Sequence, residues 1–320
     1  MLGIGRILVP VDFSDPSRKA IQYGLSLAVE ADAMVILAHV VPFSPALPYA
    51  HPFESRQMTE SDREGITGRL RELAESEVQG SVRTELVVRS GDIQDELLGI
   101  AGEHDVDLIV MGTHGRRRFE RWFLGSVTEG VLRRSAVPVL TVSHLDPGHT
   151  LGTPKPIPLR KILCATDLSE GTVGEVNRAL DWGRQFSAEV IILHVLPPVR
   201  WGFGAEHVPL DIEVDTDAIR EGVARRFRET IPEDVRQDPR VRTEIKEGTP
   251  YEVILEVADD EKADLIVLST STRPGLDRAL LGSTAERVVR GAHVPVLSFP
   301  PPGTGETVKP KTKSSGSILI

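Results

Sequence analysis

Short apolar runs alternate with longer segments in which apolar residues recur at every third or fourth position, and the whole succession occurs twice. In the first half the runs are Arg6–Val11, Met34–Val40, Arg83–Val88, Leu108–Met111 and Val139–Val142. Between them lie segments such as SDPSRKAIQYGLSLAVEA and GDIQDELLGIAGEHD, whose apolar positions follow the helical period. Short β-rich runs separated by helices predict a parallel sheet with helices on both faces. The second half repeats the first in register. RILVPVDFS (6–14) is answered by KILCATDLS (161–169), which sets Asp12 and Asp167 155 residues apart, as are His39 and His194. Gly91 and Gly248, Gly125 and Gly282, and Pro138 and Pro295 are each 157 apart. Self-similarity over a whole half-chain implies duplicated domains rather than a short-repeat solenoid.

The expected organisation is a first domain over 1–143, a Pro- and Gly-rich linker over 144–160, a second domain over 161–299 and a tail over 300–320. The tail, with its Pro, Gly, Lys and Ser, is expected to lack order. At 320 residues, each half is long enough to bury its own core.

Composition narrows the range of partners. The formal net charge of −10 argues against a general nucleic-acid or anionic-membrane partner. The single cysteine, Cys164, sits in the apolar run KILCATDL and reads as a buried strand residue in a reducing compartment. The opening MLGIGRILVPVDFS reads directly as a first strand, interrupted by Arg6 and Asp12, and no stretch approaches the roughly 20 apolar residues of a membrane span. A cytoplasmic protein that binds no membrane is expected.

The chemistry-bearing pattern is Gly112-x-x-Gly115-x9-Gly125-Ser126, following the fourth apolar run. In the second half Gly282-Ser283 survives, but Ser269 and Thr272 stand where Gly112 and Gly115 stand in the first. Glycines in such a loop permit φ > 0 or let a phosphate approach bare backbone. Gly125-Ser126-x-x-Glu129 and Gly282-Ser283-x-x-Glu286 also have the form of capping boxes, with the helix starting at the serine. Two readings therefore stand for the Gly-Ser ends: a helix cap alone, or a helix N-terminus that receives an anion. Arg116, Arg117, Arg118 and Arg121 in the same loop favour the anion, with Arg116 nearest the glycines. Asp12 has two readings as well, an acceptor for a ribose or base, or an Asx bond that orients the turn. Ser14 is the expected N-cap of the first helix, with Pro16 in its opening turn. His39 and His194 read as satisfied core histidines and His114 as a loop residue. Trp201 and Phe203 read as a cover over local core or as a lid. No metal-ligand spacing and no catalytic constellation is found.

On these residues, both halves resemble universal stress protein domains, and the chain is similar to tandem members of that family. The family's ATP motif, Gly-x2-Gly-x9-Gly-Ser/Thr, is matched without gaps by Gly112, Gly115, Gly125 and Ser126. The resemblance implies two tandem doubly wound α/β domains, each a five-stranded parallel sheet in the order 3-2-1-4-5. It implies that Pro10, Asp12, Val40 and Met111 surround adenine and ribose, and that the glycines, Arg116, Ser126 and Val127 surround the phosphates of ATP, with Mg left open. In the second half Asp167, Val195, Gly282 and Ser283 match while Ser269 and Thr272 depart, so nucleotide is expected mainly in the first. The final strands AVPVLTV and HVPVLSF are expected to pair within the chain, and chains to pair again as a dimer. The function this implies is a nucleotide-binding stress-response regulator with an unknown protein partner. The alternatives are an interaction scaffold that needs no nucleotide, or an ATP-dependent transferase or weak ATPase. The His-x-Gly-His and Ser-Gly-Gly-x-Asp-Ser signatures of such enzymes do not occur.

Overall fold

The computed structural model describes residues 3–42, 58–77, 82–113, 124–143, 159–169, 172–198, 216–270, 281–300 and 317–319. The chain forms two compact units, Met1–Pro158 with Ser269–Ile320, and Leu159–Leu268.

In the first unit the elements are β1 (Arg6–Pro10), α1 (Asp15–Ala31), β2 (Met34–Pro42), α2 (Glu60–Glu77), β3 (Thr84–Gly91), α3 (Ile93–Glu103), β4 (Leu108–Gly112), α4 (Ser126–Arg134) and β5 (Val139–Val142). Strands β3, β2, β1, β4 and β5 lie side by side in that order, parallel throughout. Ile7, Leu8 and Val9 of the central β1 are fully buried, as a strand covered by helices on both faces requires. Helix α1 starts where expected, with the Ser14 hydroxyl accepting from the Ser17 N–H and Pro16 in the first turn. It ends on Asp32 in the left-handed conformation.

The second unit follows the same plan. Its elements are β6 (Lys161–Thr166), α5 (Thr172–Phe186), β7 (Glu189–Leu196), α6 (Thr216–Thr230), α7 (Glu233–Gln237), β8 (Val241–Glu247), α8 (Pro250–Asp260) and β9 (Leu265–Ser269). The parallel order is β9, β6, β7, β8. The last elements of the second repeat, α9 (Ser283–Gly291) and β10 (Val296–Phe299), pack with the first unit. There β10 runs antiparallel to β5, with Leu297 opposite Leu140, which is the intrachain pairing of final strands expected from AVPVLTV and HVPVLSF.

Both repeats use the same small devices. Asp107 Oδ2 accepts from the Gly5 and Arg6 N–H groups at 2.7 and 3.0 Å, and Asp264 Oδ2 accepts from Arg160 and Lys161 at 2.7 and 2.9 Å. Each carboxylate ties the start of the repeat's first strand to the start of its fourth. Phe13 and Leu168, directly after the first strand, both hold positive φ, 64° and 58°. A non-glycine residue in that conformation costs on the order of 1 kcal/mol, so the same tight strand-to-helix turn is held in both copies by its surroundings.

The tail departs from expectation. Ser317–Leu319 forms β11, antiparallel to β3, with Ile318 opposite Leu86. The expectation of a tail without order is corrected for these residues: β3 carries an apolar run, Leu86–Val88, and an open edge of that kind pairs with any available strand. β8, by contrast, exposes Arg242, Lys246 and Glu247, and such charges discourage pairing. Deleting residues 317–320 is expected to speed hydrogen exchange at β3 amides while leaving β8 unchanged. Unaltered β3 exchange would show that β11 does not protect this edge.

Cys164 is fully buried in β6, and burial pushes its thiol far above the ordinary range. Its alkylation by iodoacetamide is therefore expected only on unfolding of the Leu159–Leu268 unit. Rapid labelling of the native protein would contradict this placement.

Candidate functional site

The β1–β4 ladder is short. It pairs Ile7 with Leu108 and Leu8 with Ile109, whereas β1 continues beside β2 as far as Pro10 opposite Ala38. Pro10 has no N–H to extend a ladder, so the sheet opens past Leu8 at the point where the connections reverse direction. This is where doubly wound sheets receive ligands. Pro10 and Asp12 lie at the end of β1, Val40 near the end of β2, and Met111 and Gly112 at the end of β4. Met111 and Val40 are buried, while Pro10, Asp12 and Gly112 are half-buried. Ser126 and Val127 open α4, with Ser126 exposed. The expected residues thus share the carboxyl end of one sheet. Gly115 and Arg116, with His114, Arg117, Arg118 and Arg121, lie outside the described residues, as do Trp201 and Phe203.

Asp12 makes the Asx bond: its Oδ1 accepts from the Ser14 N–H at 3.0 Å and from the Ser14 hydroxyl. Asp167 does the same with the Ser169 N–H at 2.9 Å. That role belongs to the turn in both repeats and holds the Asp12 carboxylate at the mouth of the opening. The histidines are satisfied as expected. His39 Nδ1 lies 2.6 Å from the Val11 carbonyl and His194 Nδ1 lies 2.9 Å from that of Thr166. Each ring, with its proton on Nδ1, closes the gap between the first two strands of its repeat.

The capping boxes require correction. The N-cap of α4 is Gly125 rather than Ser126, and that of α9 is Gly282 rather than Ser283. Glu129 is therefore one position too deep to reach back over the cap. It pairs with Arg133 four residues on, at 2.5 Å, and Glu286 pairs with Arg290 in the same way. Glycine at the cap has no side chain to receive the N–H groups that open α4. Helix geometry leaves those of Ser126, Val127 and Thr128 without intrahelical acceptors, and the positive end of the helix dipole lies there too.

The two glycines that flank the loop differ in what they do. Gly125 has φ −61° and ψ 137°, which any residue adopts. Gly112 does not have positive φ, but a Cβ there would lie 2.9 Å from Pro16 Cβ and 3.0 Å from the Pro16 carbonyl oxygen. Gly112 is thus required by the close approach of α1, a reason separate from any ligand.

Several neighbours escaped sequence reasoning. Thr128 Oγ1 donates to the Gly112 carbonyl at 2.9 Å, and Gln94 Nε2 donates to the Ser126 carbonyl at 3.2 Å. The Arg69 guanidinium lies 4.3 Å from the centre of the Phe13 ring. Arg226, its counterpart 157 residues on, donates to the Leu168 carbonyl from Nη2 at 3.1 Å. The signal that would have found the first two is comparison of the repeats position by position, since Tyr251 stands at the register of Gln94 and Ala285 at that of Thr128. In the second repeat, Asp167 and Val195 belong to the Leu159–Leu268 unit, whereas Gly282 and Ser283 belong to the other.

A doubly wound parallel sheet that opens at its reversal point, with a glycine-capped helix beside it, places the chain among the doubly wound α/β proteins. The sequence model of the universal stress protein family matches residues 3–143 and again 158–300, and the chain belongs to that family. A universal stress protein of Methanocaldococcus jannaschii is 34% identical over 142 residues, covering 43% of this chain and 80% of the relative. One from Mycolicibacterium smegmatis is 26% identical over 318 residues, covering 92% of this chain and 97% of the relative, so the tandem arrangement is shared. The crystal structure of a universal stress protein from Archaeoglobus fulgidus superposes with a TM-score of 0.62 at 23% identity, over 92% of this chain and 97% of that one, which shows the fold. Among the described residues, no helix is long and apolar enough to cross a membrane, and no cluster of three or more His, Cys, Asp or Glu side chains could hold a metal.

Proposed function

We propose that the protein is an ATP-binding regulator of the stress response that holds nucleotide in its first repeat. The observation that carries this reading is the N-terminus of α4, where the Gly125 cap offers no side chain to three consecutive N–H groups beside the opening at the end of β4. Those donors and the intact Gly112, Gly115, Gly125, Ser126 motif suit phosphates. Pro10, Asp12, Val40 and Met111 at the same sheet edge suit adenine and ribose, and Val127 and Arg116 complete the set. Magnesium would accompany the phosphates rather than sit in a protein cage. The second repeat, with Ser269 and Thr272 in place of two glycines, is assigned a structural role.

The protein acts by binding rather than by turnover. His39 and His194 commit Nδ1 to backbone carbonyls, which leaves neither as a general base at that nitrogen. Occupancy biases a surface read by a protein partner in the cytoplasm, and chains associate as dimers. Calorimetric titration of the full chain with ATP, with or without Mg, tests the reading. Saturable binding at one site is expected, with phosphate release far below about 1 per second. Absence of binding at millimolar ATP overturns it in favour of a nucleotide-independent scaffold.

A further inference from the structure

Resting on that reading of the first repeat, we propose that Gln94, Thr128 and Gly130 are positioning residues that aim the first-turn N–H groups of α4 at phosphate. Gln94 is the second residue of α3, and its amide reaches the Ser126 carbonyl across the α3–α4 seam. It lies flat on Gly130: a Cβ at 130 would fall 2.1 Å from Gln94 Cδ and Oε1 and 2.4 Å from Nε2. Any side chain at 130 therefore displaces the Gln94 amide. Thr128 pins the same turn from the other side through the Gly112 carbonyl. Arg134 and Asp95, 2.6 Å apart, close the seam one turn further along.

The second repeat supplies an independent comparison. At the registers of Gln94, Asp95, Thr128, Gly130 and Arg134 it carries Tyr251, Glu252, Ala285, Arg287 and Gly291. Yet Gly282, Ser283, Glu286 and Arg290, which make the helix start and its internal ion pair, repeat Gly125, Ser126, Glu129 and Arg133 unchanged. The residues that build the helix are kept and those that hold its first turn are replaced, together with two glycines of the nucleotide motif. A helix that only needs to fold keeps the first set and has no use for the second. Donors fixed before binding lose less freedom on binding, so the tether acts on the phosphate-dependent part of affinity.

The test compares ATP with adenosine on the full chain. Gln94→Ala and Gly130→Arg are each expected to weaken ATP about 3- to 10-fold, the loss typical of one hydrogen bond, and to leave adenosine within about twofold. The double variant is expected to match the weaker single variant, because both act on one amide. Thr128→Val is expected to weaken ATP similarly and Thr128→Ser to restore it, with Cys164 still shielded from alkylation as proof of folding. Equal losses for ATP and adenosine, additive effects of the Gln94 and Gly130 changes, or no change would overturn the inference. Failure of the unsubstituted protein to bind ATP would overturn the reading beneath it, which separates the two failures.

Discussion

Gly125→Asp is expected to raise stability slightly while lowering affinity for ATP on the order of 100-fold. The backbone at Gly125 already has N-cap geometry, φ −61° and ψ 137°, that an aspartate adopts without strain. The protein shows what such a residue does: Asp92 caps α3, its Oδ1 accepting from the Gln94 and Asp95 N–H groups at 3.0 and 3.1 Å. An aspartate at 125 would take the corresponding amides of α4, gaining about 0.5 kcal/mol from the cap and the helix dipole. The same amides are then unavailable to phosphate, and a like charge stands at the site. Losing charge-assisted hydrogen bonds at a cost near 2.7 kcal/mol corresponds to the 100-fold. Gly282→Asp has the same cap geometry, φ −59° and ψ 136°, and should stabilise without affecting ATP. Effects of equal sign on stability and affinity would contradict this account of α4, as would an equal loss of ATP from both substitutions. Denaturant titration and calorimetry measure the two quantities separately.

Gly112→Ser, the residue the second repeat carries at this register, should cost about 1–3 kcal/mol of folding stability, the range for an inserted atom that its neighbours cannot easily avoid. The new Cβ would press on both the ring and the backbone of Pro16. At the register of Pro16 the second repeat carries Gly171, so the pair Pro16 and Gly112 is answered by Gly171 and Ser269. Pro16→Gly introduced beside Gly112→Ser removes the clash with the Pro16 Cβ, 2.9 Å, but not those with its carbonyl oxygen and carbon, 3.0 and 3.1 Å. Partial recovery is therefore expected, as a coupling in a double-mutant cycle. Strict additivity of the two changes would mean that Pro16 is not what Gly112 avoids. ATP binding should fall with Gly112→Ser in either background, since the remaining clash with the Pro16 backbone shifts the carbonyl at 112 that anchors Thr128.

These contacts show how far the sequence could be read. Strand and helix positions were legible because each repeat states them independently: β4 and β9 carry LIVMG and LIVLS, and a period seen twice in register leaves little freedom. Local patterns misled where one residue of phase matters. Ser-x-x-Glu has the form of a capping box, yet the cap falls on the preceding glycine, which turns Glu129 toward Arg133 instead. Gly112 was legible as a glycine that matters, but its packing reason lies in Pro16, 96 residues earlier in the chain. Gln94 and Gly130 carry no motif at all, because an amide lying on a bare α-carbon is a relation between two helices and leaves no spacing to find. β11 was hidden for a related reason: three residues after a long polar stretch become a strand only beside the apolar edge of β3.

Unequal repeats, one for nucleotide and one for structure, make a prediction that can be counted. Mass spectrometry of the purified full chain, denatured after equilibration with saturating ATP and removal of the free nucleotide, measures adenine nucleotide per chain. About one is expected, falling to none with Gly125→Asp and staying at one with Gly282→Asp. Two per chain, or one that survives Gly125→Asp and is lost with Gly282→Asp, would contradict the assignment of the site to the first repeat.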